Sequence, residues 1–283
     1  MIKFCSLYSG SSGNSYFLEI DGTKALVDSG KSGKKIIEGL KTIGEDIKEI
    51  EAILVTHEHK DHIQSLRMLS KKYDIKIVIS EGTYIIMEKE LATIKKENII
   101  TFKTGSNFKF KNLNVKSIKI PHDAADPSAF SFVDCEEKKI TIATDIGNYD
   151  EYILENIKGS DILLLESNYE ENILRVSRYP YYLKQRIAGP YGHLSNSHTR
   201  EVVKELLDTN IRQIILGHLS KENNTEYIAY DNIYNVLKSA KKHKKIGLEV
   251  AKREEQSNMY ILKNNKLEIK YNYDTDEIIK ACK

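Results

Sequence analysis

The chain has 283 residues, of which 40% are hydrophobic and 30% are charged, a balance typical of a soluble globular protein. Its formal net charge is only +2, so any nucleic acid or membrane partner must be met by a local patch. No apolar stretch has the length of a membrane helix, and the N-terminus reads as a first strand instead of a secretory signal. Cys5, Cys135 and Cys282 lie far apart without a CxxC pair, which argues against disulfides and a cysteine zinc site and favours the cytoplasm.

The first half of the chain alternates short strands with helices. Asp21-Gly22 is a strong hairpin signal, so it predicts a turn between strands Ser15 to Ile20 and Thr23 to Val27. Apolar spacing predicts a helix over Gly33 to Leu40, and the apolar run Ala52 to Val55 predicts a buried strand. The pattern continues with a helix over Ile63 to Tyr73, a strand over Ile75 to Ile79 and a helix over Thr83 to Ile94.

The second half contains more buried strands and two amphipathic helices. The predicted strands are Leu113 to Ile120, Ala129 to Val133 with a hairpin return over Ile140 to Ala143, Ile162 to Leu165 and Ile211 to Leu216. The predicted helices cover Ser197 to Leu207 and Glu226 to Lys242. Neither a repeat nor a Pro/Gly/Ser-rich linker divides residues 1–283, so we expect one domain. The mixture of strand runs and αβ alternation predicts two mixed sheets with helices on the outer faces.

The segment Thr56-His57-Glu58-His59-Lys60-Asp61-His62 carries the strongest chemical signal. It lies between the predicted buried strand and the helix that begins near Ile63. In an extended stretch residues two apart point the same way, so His57 and His59 can face one metal ion. The turn then directs Asp61 and His62 to a second position. Mixed nitrogen and oxygen ligands suit zinc, manganese or iron.

This pattern, His-x-His-x-Asp-His after a strand, resembles the signature of the metallo-β-lactamase superfamily. Three further candidate ligands follow in the order of that superfamily, each at the end of a predicted strand: His122, Asp145 and His218. The resemblance implies an αββα sandwich and a dinuclear metal site. It implies that His57, His59, His122 and Asp145 hold one divalent ion, and that Asp61, His62, Asp145 and His218 hold the other.

Longer motifs resemble the YycJ/WalJ branch of the superfamily over nearly the whole chain. They are Ser6 to Ser15, His122-Asp123-Ala124, Leu165-Glu166-Ser167-Asn168, Gly192-His193-Leu194-Ser195-Asn196 and His218 to Asn224. The branch is associated with 5′→3′ exonuclease activity on double-stranded DNA. The chain departs from its pattern at Tyr169-Glu170, where the branch usually has His-Asp, and at Lys60 and Ala129. The resemblance therefore implies a phosphodiesterase in which a hydroxide shared by two metal ions attacks phosphorus.

Two residues outside the ligand set are expected to act with it. His193 resembles the catalytic histidine of the superfamily's tRNA 3′-processing ribonucleases, which implies that it protonates the leaving oxygen. Glu166 resembles the acidic residue that orients this histidine. The alternatives are a histidine in a capping loop and a glutamate at a strand end. Asp61 is a catalytic candidate as well as a ligand.

Two segments are candidates for substrate contact. The turn Ser9 to Asn14, with Ser11, Ser12 and Asn14, can present backbone N–H groups to phosphate, although a tight inter-strand turn is equally consistent with it. The segment Arg175 to Arg186 mixes tyrosines with Arg178, Lys184 and Arg186, a pattern that fits a nucleic-acid backbone and an exposed terminal base. The alternative is a solvated loop.

Three function classes remain open at this point. The first is a nuclease, with DNA as the expected partner and RNA processing as an alternative. The second is a hydrolase of a small ester, lactone or thioester, because the same metal core serves those substrates. The third is a non-catalytic metal-binding regulator, which the full ligand set disfavours. The sequence leaves the metal and the oligomeric state open.

Overall fold

The computed structural model describes residues 1–270, and the predicted unpaired Cys282 lies outside them. In this range one sheet has eight strands, in the order β15-β14-β1-β2-β3-β4-β5-β6. Its strands are β1 (Ile2–Tyr8), β2 (Ser15–Ile20), β3 (Thr23–Val27), β4 (Ala52–Leu54), β5 (Lys76–Ser80), β6 (Ile99–Phe102), β14 (Met259–Lys263) and β15 (Lys266–Lys270). Strands β3 to β6 run parallel, and the remaining pairs are antiparallel.

The second sheet has seven strands, in the order β13-β12-β11-β10-β9-β8-β7. Its strands are β7 (Asn107–Phe110), β8 (Leu113–Lys119), β9 (Ser128–Val133), β10 (Lys139–Ala143), β11 (Ile162–Glu166), β12 (Gln213–Gly217) and β13 (Gly247–Val250). Strands β10 to β13 are parallel, while β7 to β10 form an antiparallel meander. The predicted hairpin return at Ile140 to Ala143 is therefore confirmed.

Nine α-helices flank the sheets within residues 1–270. They are α1 (Gly33–Thr42), α2 (Lys60–Ile63), α3 (Leu66–Tyr73), α4 (Glu81–Leu91), α5 (Glu151–Ile157), α6 (Glu171–Val176), α7 (Tyr181–Ala188), α8 (Asn196–Leu206) and α9 (Glu226–Ser239). None of the helices in this range is long and apolar enough to cross a membrane.

Three apolar cores define four layers. The central core joins the inner faces of both sheets, with Phe4 of one sheet and Phe130 of the other in one cluster. A second core packs α5, α8 and α9 on the seven-stranded sheet, and a third packs α1, α3 and α4 on the eight-stranded sheet. Strand β11 shows why the layers form, because it is covered on both faces and its side chains alternate between them. Leu164 packs in the central core, and Leu163 packs in the second core under the helices. This confirms the predicted αββα sandwich.

The helix predicted over Ile63 to Tyr73 is interrupted, so that prediction was wrong in its boundaries. The carbonyls of the two residues before Ile63 accept hydrogen bonds from elsewhere in the chain: Asn14 N donates to Asp61 O, and Ser29 N donates to His62 O, each at 2.7 Å. Ser65 N correspondingly donates to Ser29 O at 3.0 Å instead of continuing the helix. The break lets α2 carry Asp61 and His62 at an angle independent of α3.

The segment Arg175 to Arg186 also differs from the solvated-loop alternative. Helices α6 and α7 occupy most of it, although no residue of α7 is buried. The last predicted helix ends at Ser239, before the basic run, since Lys241 takes a positive φ of 58°. Helices α6 and α7 are short, and α7 has no buried face, which is why apolar periodicity did not predict them.

Candidate metal centre

The first part of the site lies between β4 and α2. His57 follows the buried strand after Val55 and Thr56, and His59 is the last residue before α2. The rings of His57 and His59 lie 4.6 Å apart between centroids, and those of His57 and His62 lie 4.1 Å apart. A strand-to-helix turn therefore gathers these three imidazoles, as the sequence predicted.

The second part comes from the facing sheet. His122, Asp145 and His218 follow the ends of β8, β10 and β12. Asp145 and His218 have positive φ values of 59° and 55°, which are uncommon for residues with side chains and are typical of functional sites held by surrounding structure. The left-handed backbone turns each chain away from its strand at the residue that carries the candidate ligand.

The two parts meet in overlapping clusters. In each cluster one ligand atom per residue lies within 4.8 Å of the others. The clusters are His57-His59-His122, His57-His62-Asp145, Asp61-His62-His218 and Asp145-Glu166-His193-His218. All seven predicted ligands thus converge, and we call this set the candidate metal centre.

Asp145 lies between the histidines of both predicted ion positions. Its Oδ1 is 3.4 Å from His218 Nδ1 and 3.8 Å from His122 Nε2, while its Oδ2 is 3.3 Å from His62 Nε2. The side chain is almost fully buried. The two carboxylate oxygens therefore lie close to candidate ligands of both ion positions that the resemblance implies.

Buried polar groups orient the rings from behind. His62 Nδ1 donates to Asp28 Oδ2 at 2.7 Å, and Thr56 donates to the same carboxylate through N and Oγ1. His218 Nδ1 lies 2.7 Å from Glu166 Oε1, and His122 Nδ1 lies 3.1 Å from Gly192 O. Such outer partners fix the tautomer and direction of metal-binding histidines.

The concentration of charge shifts the pKa of several groups in the metal-free protein. Burial favours the neutral ring of His62, but the carboxylates of Asp145 and Asp28 outweigh it and raise the pKa to about 9. Burial also favours the neutral ring of His218, but the carboxylates of Asp145 and Asp61 outweigh it and raise the pKa of His218 well above its usual value. Burial and the neighbouring imidazoles lower the pKa of His57. Protons therefore partly compensate the carboxylates when no cation is bound.

Unsatisfied buried atoms show that these residues fit divalent cations. Among the described residues, His57 Nε2, His218 Nε2 and Asp145 Oδ2 are buried and have no hydrogen-bond partner. Leaving such groups unpaired costs about 1–3 kcal/mol each. Their convergence within one nitrogen and oxygen ligand set is explained when cations supply the missing partners.

His193 and Glu166 are in contact as the sequence predicted. His193 Nδ1 lies 2.9 Å from Glu166 Oε1, and the same oxygen is close to His218. Because a carboxylate accepts, Nδ1 of His193 carries the hydrogen, and Nε2 is the nitrogen left for substrate. His193 keeps 21% of its side chain exposed, whereas Glu166 is fully buried. His193 therefore borders the opening of the site, and Glu166 lies beneath it.

The turn Ser9 to Asn14 is built differently from the predicted phosphate nest. The N–H groups of Gly10, Gly13 and Asn14 donate to Asn14 Oδ1, Gly10 O and Asp61 O. Asn14 is fully buried, and its Nδ2 lies 3.0 Å from His62 Nε2. These three amides are therefore not available to phosphate, and Asn14 supports the loop. Ser11 and Ser12 are exposed, but Ser12 is already bonded to Glu254 and Lys31.

The basic residues predicted to contact substrate lie at different distances from the candidate metal centre. Arg186 is exposed and forms an ion pair with Asp123, next to His122, so it lies at the rim of the candidate metal centre. Lys184 donates to Arg175 O at 2.8 Å, and both residues line a cavity of about 360 Å³ with Tyr181 and Tyr169. Arg178 is exposed between α6 and α7. Only Arg186 among these contacts the neighbour of a candidate ligand.

Sequence reasoning missed two supports of the site. Asp28 follows β3 with a φ of 62° and receives the hydrogen bond from His62. Asn168 Nδ2 donates to His218 O at 2.7 Å and thereby holds the loop after β12. The position of Asp28 in the sequence indicates a role in the site, since Asp28 directly follows a buried strand that ends beside β4. Asn168 belongs to the motif Leu165-Glu166-Ser167-Asn168, whose resemblance to the branch indicates no particular role for the amide.

Comparison with known proteins agrees with this geometry. Residues 23–219 match the family described as a β-lactamase superfamily domain. Exodeoxyribonuclease WalJ of Streptococcus pneumoniae is 37% identical over 240 residues, which cover 84% of this chain and 89% of that protein. Exodeoxyribonuclease YycJ of Bacillus anthracis is 34% identical over 83% of this chain and 89% of its own length.

Among solved structures, the metallo-β-lactamase fold protein YhfI from Bacillus subtilis superposes with a TM-score of 0.66 at 15% identity. The match covers 90% of this chain and 98% of that protein, and it supports the fold alone. The predicted resemblance is confirmed: the chain belongs to the metallo-β-lactamase superfamily and, within it, to the branch that contains the exodeoxyribonucleases WalJ and YycJ.

Proposed function

We propose that this protein is a metal-dependent phosphodiesterase that degrades double-stranded DNA from the 5′ end. The observation that carries the proposal is the convergence of five histidines and two aspartates around an opening bordered by His193. Relatives at 34–37% identity over most of the chain are named exodeoxyribonucleases, which supports DNA as the substrate. The 5′ polarity and the preference for duplex rest on the branch resemblance.

The proposed ligand sets are those that the resemblance implies. His57, His59 and His122 would hold one ion, Asp61, His62 and His218 the other, and Asp145 would join them. Zinc or manganese suits these ligands, and iron is compatible with them. When bound, two divalent cations would activate water as a nucleophile and stabilise the charge that develops on phosphate. Asp28 and Glu166 would keep the rings of His62 and His218 aimed at this position.

His193 is the proposed general acid. Its partly exposed ring borders the opening, and the bond from Nδ1 to Glu166 fixes its orientation. As the phosphodiester breaks, Nε2 would deliver a proton to the leaving sugar oxygen, which cannot depart easily as an alkoxide. Glu166 would stabilise the ring while it carries the positive charge. Glu166 is therefore a positioning residue, whereas His193 acts on the substrate.

The path of the DNA is proposed along the basic side of the opening. Arg186 lies at the rim, where its guanidinium can exchange Asp123 for a phosphate, and Arg178, Lys184, Ser11 and Ser12 would extend the contact outward. Phosphate contacts of this kind position the strand without reading its sequence.

The proposal extends to organisation and location. Both sheets contribute to the central core and to the candidate metal centre, which supports one domain. Cys5 and Cys135 are free thiols, and DNA is the proposed substrate, which together support a cytoplasmic location.

A substrate panel tests the proposal. Protein loaded with manganese or zinc is incubated with duplex DNA, single-stranded DNA and RNA, and in parallel with a lactone and a thioester. Asp145→Ala is the matched inactive control. We expect turnover of duplex DNA that is lost in the control. Turnover of the lactone or thioester with intact DNA would replace the proposal by a small-molecule hydrolase, and preference for RNA would assign an RNA-processing role.

A further inference from the structure

A cleft of about 720 Å³ lies directly beside the candidate metal centre. His122 lines it, together with the end of β8, the first turn of α5 and Tyr191. Pockets for small ligands in proteins span about 300–1,000 Å³, so a nucleotide fits here and a base-paired duplex does not. Because a candidate ligand forms part of its wall, a group bound in the cleft is next to the reacting phosphate.

Tyr191 is an exposed aromatic residue on a fixed backbone. The residue is 62% exposed, although its carbonyl accepts from Asp123 N at 3.1 Å. Behind it, a Cβ atom on Gly147 would lie 2.5 Å from Tyr191 Cα, so the two backbones pack in direct contact. Asp123 and Gly147 flank the candidate ligands His122 and Asp145, and His193 is two residues away. The position of the ring is therefore tied to the catalytic groups.

The remaining walls suit a nucleoside. Tyr152 is 39% exposed and its hydroxyl accepts from Lys119 N at 3.5 Å, while Ile120, Pro121 and Pro127 supply apolar surface. Two charged side chains also line the cleft, Asp150 and Lys119. Asp150 caps α5 by accepting from Ile153 N at 2.9 Å, and Lys119 is an exposed cation at the rim. Aromatic faces with a nearby cation are how proteins bind unpaired bases.

We propose that this cleft receives the unpaired terminal nucleoside of the DNA strand, with its base stacked on Tyr191. The inference rests on the proposed function and adds a substrate subsite to it. It explains how an end is favoured, since a terminal nucleotide has one stacking neighbour and leaves the duplex at a lower cost in free energy than an internal one. Stacking is tolerant of sequence, because every base has an aromatic face.

The test compares Tyr191→Ala and Tyr191→Phe with the wild type on two duplexes labelled at the 3′ end. One duplex has a normal 5′-terminal nucleotide, and the other has an abasic one. Tyr227→Ala is the control, because Tyr227 is an exposed tyrosine on α9 outside the cleft. Thermal midpoints and metal content are measured for every variant.

We expect Tyr191→Ala to lower kcat/KM on the normal end by about 5- to 150-fold, the range for one lost base stack. Tyr191→Phe should stay within about twofold of the wild type, because it keeps the ring. On the abasic end, Tyr191→Ala should equal the wild type. An equal loss on both ends, or no loss on either, overturns the subsite. A wild type that digests no DNA would instead contradict the proposed function, and the subsite with it.

Discussion

The carboxylate of Glu166 offers a sharp test of how the site is held together. It accepts four hydrogen bonds: Oε1 from His193 Nδ1 and His218 Nδ1, and Oε2 from the amides of Ile146 and Leu194. Glu166→Gln keeps the shape but turns one oxygen into a donor. With the amide nitrogen at the Oε2 position, the buried amides of Ile146 and Leu194 both face a donor. At the Oε1 position, His218 faces a donor because its raised pKa keeps both ring nitrogens protonated, whereas His193 can change tautomer and accept.

The expected cost follows from that count. Each buried donor left unsatisfied costs about 1–3 kcal/mol, so Glu166→Gln, which leaves one or two of them, should lower the free energy of unfolding of the metal-free protein by about 1–6 kcal/mol. Urea denaturation measures this directly, and Glu205→Gln on the exposed side of α8 is the matched control, with an expected change within about 0.5 kcal/mol. Metal affinity should fall by about 10- to 100-fold, because His218 loses its orienting partner. A destabilisation below about 0.5 kcal/mol in Glu166→Gln would show that the four bonds do not hold the site as described.

Four further outcomes are expected. His193→Ala should keep its metal and lower kcat by about 10²–10⁴-fold on DNA, with a smaller loss on a nitrophenyl phosphodiester whose leaving group needs no proton; equal losses on both substrates would reject the general acid. Asp145→Ala should retain fewer metal equivalents than the near two expected of the wild type by elemental analysis, and full retention would reject the bridge. Metal uptake at pH 7 should release protons, and metal affinity should increase as pH rises. The pKa of His62 is raised to about 9 and that of His218 is also raised, so both rings are charged in the metal-free protein, whereas a ligand must be deprotonated. Calorimetry in buffers of different ionisation enthalpy measures the protons, and uptake without proton release would contradict the prediction. Neutralising three basic residues together should flatten the salt dependence of DNA binding; the residues are Arg175, Arg178 and Lys184. An unchanged slope of binding constant against salt concentration would place the DNA path elsewhere.

The candidate ligands were predictable because each depends on local sequence. His57, His59 and Asp61 lie in one strand-to-helix turn. His218 directly follows a buried apolar strand, and His122 follows an alternating strand by three residues. Since neighbouring strands end at the same edge of a sheet, strand-end residues converge without any knowledge of the loops. The two-sheet architecture followed from the same apolar runs.

The parts that could not be predicted depend on tertiary contacts. The helix break at Gln64 and Ser65 is caused by donors from Asn14 and Ser29, which are distant in sequence. Asn14 was expected to meet phosphate, but the folded loop uses its side chain and amide internally. Tyr191 carries no motif of its own, and its value as a binding residue appears only when the cleft beside His122 is seen.

The most direct measurement is digestion of one duplex labelled separately at each end of the same strand, by protein depleted of metal and then reloaded with manganese or zinc. A dinuclear 5′→3′ exonuclease releases the 5′ label as a mononucleotide at the earliest times, while the 3′-labelled strand shortens progressively. Depletion should abolish both signals, and Asp145→Ala should not recover them on reloading. Release of the 3′ label first would contradict the polarity, and digestion that persists without metal would contradict the role assigned to the candidate metal centre.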